Sequence, residues 1–90
     1  MNGSEDYISL IPSEYDLIRL DSIKPDQTVV AENGSWTVNR YPEKPGRKDW
    51  MTYTIALSVT GISTVPPIIE ANSVREVVKQ LTKIEKRRAK

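Results

Sequence analysis

The sequence predicts an α+β domain. It reads as a small three-stranded antiparallel sheet, with strand segments near 27–31/35–41, 50–59 and 62–65. A C-terminal amphipathic helix over 73–87 packs on one face, and an N-terminal arm or short helix precedes the sheet. Three observations carry this expectation: an Asn-Gly pair between two alternating runs, a ten-residue stretch with a period-2 pattern, and a capped 3.6-residue apolar stripe at the end of the chain.

The arm comes first. Residues 1–6 are polar and expected to be loose, and Tyr7–Ile11 is a short apolar run ended by Pro12. Ser13 followed by Asp16 resembles a helix start, because a side-chain oxygen at the cap and a carboxylate three residues on can each satisfy an orphan backbone N–H. A short helix near 14–22 follows, with Ile11, Tyr15 and Ile18 at i, i+4 and i+7 as its apolar line. Lys24-Pro25-Asp26 closes it as a turn.

Asn33-Gly34 then joins Gln27–Ala31 to Trp36–Tyr41. A two-residue hairpin turn there pairs Val29 with Val38, Val30 with Thr37 and Ala31 with Trp36. Opposed residues share a face, so Val29, Ala31, Trp36 and Val38 point one way, and Val30, Thr37, Asn39 and Tyr41 the other. The segment 42–49 carries two prolines and a glycine and reads as a loop. Beyond it Met51, Tyr53, Ile55, Leu57 and Val59 alternate with Trp50, Thr52, Thr54, Ala56 and Ser58, a strand with one buried face. Thr60-Gly61 turns the chain, Ile62–Val65 returns as the last strand, and Pro66-Pro67 ends the ladder. Ile68 and Ile69 lead into the helix. Ser73 and Glu76 form a capping box, and Val74, Val77, Val78, Leu81 and Ile84 make the apolar stripe. Read as heptads, Val74, Val77, Leu81 and Ile84 span too few repeats for a coiled coil, so core packing accounts for them.

Ninety residues make one domain, 1–90, with 88–90 as a frayed tail. The chain has no cysteine and no histidine. Imidazole catalysis, thiolate chemistry and the common zinc ligand sets are therefore outside its means. It has no glycine-rich phosphate loop. Asp16, Asp21, Asp26, Glu32 and Glu70 show no metal-ligand or acid–base spacing and read as surface acids. No cofactor, no metal and no enzymatic activity are expected. The N-terminal stretch holds acids and no basic start, which speaks against a secretory signal. No apolar run nears the roughly 20 residues that span a bilayer. A cytoplasmic address without membrane contact is the expectation.

Charge is distributed unevenly. Residues 73–90 carry seven cations against two acids, a net +5 in a chain of +1, which leaves −4 on residues 1–72. Arg75, Lys79, Lys83 and Lys86 fall within about 80° of one another by the 3.6-residue period, opposite the apolar stripe, and Arg87 extends the basic face. A second basic group, Arg40, Arg47 and Lys48, lies in or beside the 42–49 loop between Tyr41 and Trp50. Cations interleaved with aromatics suit a polyanion backbone with bases to stack. Plain solvation explains either group equally well. In order of elements the expected architecture is similar to the arm-binding domains of some phage integrases, which lay strands in the major groove. That similarity is architectural and rests on no motif.

Two partner classes follow. The first is an acidic protein surface met by the basic helix, in keeping with an accessory, regulatory or inhibitor protein of the kind that mobile elements encode. The second is a nucleic-acid backbone held by the same helix and the 40–50 loop. The total charge of +1 favours the protein reading, because dedicated nucleic-acid domains are far more basic. A homodimer is a variant of the first class.

Overall fold

The computed structural model describes residues 8–42, 52–58 and 68–88. Its elements are α1 (Glu14–Asp21), β1 (Gln27–Val30), β2 (Trp36–Arg40), β3 (Tyr53–Leu57), β4 (Ile68–Ala71) and α2 (Val74–Arg88). The sheet is antiparallel, in the order β1-β2-β3-β4. Among the described residues it has four strands, not the expected three. The added strand is β4, which pairs Ile68 with Ala56 and Ala71 with Tyr53. In the sequence it stands directly after Pro66-Pro67, which read as a stop. Proline cannot donate to a ladder but is tolerated immediately before a strand. The return strand expected at 62–65 lies outside the described residues, as do Trp50, Met51 and Val59 of the longer strand.

The hairpin register matches the expectation. Val29 faces Val38, Val30 faces Thr37, and the Ala31 N–H donates to the Trp36 carbonyl at 3.0 Å. The connection differs from the type I′ two-residue turn that Asn-Gly favours, which needs positive φ at both central residues. Among the residues of this turn only Gly34 has it, at +77°. The chain instead turns over Ala31–Gly34, with the Gly34 N–H donating to the Ala31 carbonyl at 2.8 Å, and four residues separate the closing pair. Asn33 holds the turn through its side chain. Its Oδ1 accepts from the Ser35 N–H, and its Nδ2 donates to the Ser9 carbonyl at 2.9 Å. The other β1 end is set by Asp26, in the left-handed region at φ 71°, whose N–H donates to the Arg40 carbonyl.

One face of the sheet is buried. Val29, Ala31, Trp36, Val38, Tyr53, Ile55 and Ala71 form a single core with Val77, Leu81 and Ile84 of α2 and with Leu10, Leu20 and Ile23 of the N-terminal region. Leu10 is the pin of the arm. Its carbonyl accepts from Trp36 Nε1 at 3.1 Å and its N–H donates to Glu85 Oε1 at 3.1 Å, so one residue ties the arm to sheet and helix. Ser73 caps α2 by accepting from the Glu76 N–H. Glu76 Oε2 accepts from Gln80.

α1 forms with both halves of its capping box present between Ser13 and Asp16. Its orientation corrects the sequence expectation. Ile11, Tyr15 and Ile18 face solvent, at 46, 55 and 64% exposure, and the inward residues are Asp16 and Leu20. Asp16 is therefore not a surface acid. It is 3% exposed and accepts hydrogen bonds from the Ser13 N–H, the Glu32 N–H and the Arg19 guanidinium. Desolvation is the largest single influence on its carboxyl and opposes ionisation. The Ser13 and Glu32 amides and Arg19 together outweigh it and hold the pKa below 3.8. Three polar donors around a carboxylate turned α1 away from its own apolar line.

Both helices cover the same face of the sheet and run in opposite directions. α1 starts at the hairpin-turn end, where Ser13 Oγ donates to Glu32, and finishes where Arg40 Nη1 donates to the Ile23 carbonyl. α2 starts beside Ala71, at that second end, and reaches Glu85 near Leu10 at the first.

Candidate docking surface

α2 owes its orientation to its apolar stripe. Val77, Leu81 and Ile84 are buried against the sheet, with Val74 packed beside them. Burial of that stripe fixes the rest of the helix by phase, and Arg75, Lys79, Lys83, Lys86 and Arg87 are all exposed. From Arg75 to Lys86 the row extends roughly 16 Å at 1.5 Å per residue. Among the described residues the one ion pair is Arg19–Asp16, and Arg75, Lys79, Lys83, Lys86 and Arg87 form none. A row of this kind raises the local concentration of anionic groups and orients them as they approach.

The second group of expected site residues divides. Arg40 is half-buried on the core side of β2. Its guanidinium donates to the Ile23 carbonyl at 2.7 Å and lies 5.5 Å from the centroid of the Tyr53 ring, a cation–π contact. It is engaged in closing the α1–β1 connection. Tyr41 follows β2 on the opposite side and is 43% exposed, with its N–H donating to the Thr52 carbonyl at 2.7 Å. Arg47, Lys48 and Trp50 lie outside the described residues.

The far face of the sheet, away from both helices, carries two rows set by the register. Val30, Thr37, Ala56 and Ile68 form one; Thr28, Asn39, Thr54 and Glu70 form the other. Thr28 Oγ1 donates to Asn39 Oδ1 at 2.6 Å, a cross-strand pair that fixes the Asn39 amide. Glu70 is the one acid in these rows and no cation stands in them, so among the described residues these rows offer no charge suited to a phosphate backbone.

Sequence reasoning passed over the outer face of α1. Glu14, Ile18 and Asp21 lie at i, i+4 and i+7, with Tyr15 and Leu17 to either side, all exposed or at its margin. The arm adds Ile8 and Ile11, exposed by 39 and 46%. The signal was legible as the Ser13–Asp16 box, since a carboxylate that caps inward must turn Ile18 out.

Among the described residues no cluster of acidic side chains could hold a metal ion, and no helix is long and apolar enough to cross a membrane. The chain matches no family model, and no curated protein or solved structure is significantly similar to it. The four-stranded sheet also departs from the three-stranded order on which the analogy to integrase arm-binding domains stood.

Proposed function

We propose that this is a small non-catalytic accessory or regulatory binding protein that acts by docking an acidic protein surface on the outer face of α2. The observation that carries the reading is the row Arg75, Lys79, Lys83, Lys86 and Arg87, exposed and free of carboxylates on a body of opposite net charge. Such a dipolar arrangement steers association between proteins. A protein partner is favoured over nucleic acid by two features. The net charge is +1, and large apolar side chains of the arm and α1 are exposed on the same side of the sheet as the cations, where a polyanion offers little to bury them. The reading as a non-enzyme is supported by composition, and by Asp16, whose carboxylate is engaged by three structural donors.

The test is retention from a lysate of the source cells on the tagged protein, with and without nuclease. Retained protein should survive nuclease, elute as salt rises, and be lost from Lys79→Glu/Lys83→Glu/Lys86→Glu. Material that vanishes with nuclease transfers the surface to nucleic acid. A wild type that retains neither overturns both readings.

A further inference from the structure

The two helices run antiparallel on one face of the sheet, α2 against β3 and β4 and α1 tied to the β1–β2 side through the Asp16–Glu32 and Ile23–Arg40 bonds, so their outer residues face the same way. That side is dipolar at short range. The α2 half presents Arg75, Lys79, Lys83 and Lys86. The α1 half presents Glu14 and Asp21, one turn either side of Ile18, and no free cation, because Arg19 is held by Asp16. Between the halves, at the hairpin-turn end, the arm crosses from one helix to the other with Ile8 and Ile11 exposed. We infer that the acidic surface met by α2 is α1 of a second copy of this chain, in a two-fold symmetric dimer formed helix face to helix face. The inference rests on the reading of α2 as a docking surface for acidic protein and names the partner.

Symmetry and charge select the geometry. A two-fold axis running along the helices, midway between them, lays α2 of each copy over α1 of the other. Glu14 and Asp21 then meet the α2 cations, twice by symmetry. The aliphatic stems of those cations cover Tyr15 and Ile18, which are otherwise 55 and 64% exposed. The arms meet at the axis and bring the exposed faces of Ile8 and Ile11 together. An axis across the helices would instead set α2 on α2, cation against cation, and α1 on α1, acid against acid. Only the first arrangement pairs opposite charge and buries the isoleucines in the same contact.

Sedimentation equilibrium of the full chain tests this, from low-micromolar to near-millimolar protein at low and high salt. The apparent mass should rise from 10.2 kDa toward twice that value with concentration, and rise less at high salt. Ile18→Lys, which removes the apolar contact and sets a cation against the facing α2 cations, should weaken association by about tenfold or more. The decisive experiment exchanges charge. Lys79→Glu/Lys83→Glu/Lys86→Glu makes both helix faces acidic, and Glu14→Lys/Asp21→Lys makes both basic. Each variant alone should be monomeric, and an equimolar mixture should form a mixed dimer. Circular dichroism checks that each is folded; if a charge variant is not, Ile18→Lys carries the test. A wild type fixed at 10.2 kDa at every concentration overturns the inference, as does a mixture that stays monomeric. If the chain is monomeric yet retains nuclease-resistant protein from lysate, the inference falls and the docking reading stands. If the triple Glu variant retains its partners and dimerises like wild type, both fall.

Discussion

Asp16 is a carboxylate almost wholly removed from water, and it is the joint at which three parts of the chain meet. Ser13 belongs to the arm, Arg19 to α1 and Glu32 to the β1–β2 turn, and each donates to this one side chain. Replacing it with alanine leaves those donors unmatched, at a cost of about 2–4 kcal/mol for a partly satisfied buried site. Asparagine keeps the shape but loses the charge and faces its amide toward a donor, so Asp16→Asn should be nearly as damaging. Its pH dependence distinguishes the two causes. The folded pKa lies below the unfolded value near 3.8, so on acidification the unfolded chain takes up the proton first. The stabilisation is thus fully present above that value and is lost as pH falls through the lower folded pKa. Urea midpoints measured from pH 7 downward should fall more steeply below about pH 4 in wild type than in Asp16→Asn. Equal slopes would show that the carboxyl is not ionised in the fold.

At the scale of elements, the legible parts were those in which local chemistry and tertiary packing agree. Val29, Trp36 and Val38 showed their common face from alternation alone, and Val77, Leu81 and Ile84 showed theirs from helical phase. α1 was legible as a helix but not in orientation, because an apolar line of Ile11, Tyr15 and Ile18 competes with a polar hub that no hydrophobicity pattern contains. β4 was hidden for a different reason: its four residues are wedged between two prolines and a helix cap, and only pairing with β3 makes them a strand. The β1–β2 connection shows how a register can be right when the turn is not. Gly34 supplies the single positive φ, and a Cβ placed there would meet nothing within 4 Å. The cost of a side chain is then purely that of the backbone conformation. Gly34→Ala should destabilise by about 1 kcal/mol, Gly34→Asn by less, and Gly34→Val by more, as read from denaturation midpoints. Equal tolerance of valine would mean that the turn rearranges.

At the scale of the whole molecule, structural and exposed duties are segregated across the thickness of α2. One side of that helix closes the core of the sheet; the other carries the charge that makes the domain dipolar. The composition made that segregation visible, since a +5 segment on a −4 body is a matter of counting. It could not show that α1 would cover the same face of the sheet with Glu14, Ile18 and Asp21 turned outward, because that depends on Asp16 and on Leu10 pinning the arm between Trp36 and Glu85. Stability and docking should therefore separate under mutation. Lys79→Ala/Lys83→Ala/Lys86→Ala removes three exposed cations without opening a cavity or weakening helix propensity, and each change should alter stability by no more than about 0.5 kcal/mol. Leu81→Ala, which hollows the opposite side of the same helix, should cost about 2–5 kcal/mol. The alanine triple variant should keep the wild-type urea midpoint while its partner retention and its self-association both fall. A midpoint shifted as far as that of Leu81→Ala would mean that the basic row holds the fold together, and would remove the ground for treating it as a docking surface.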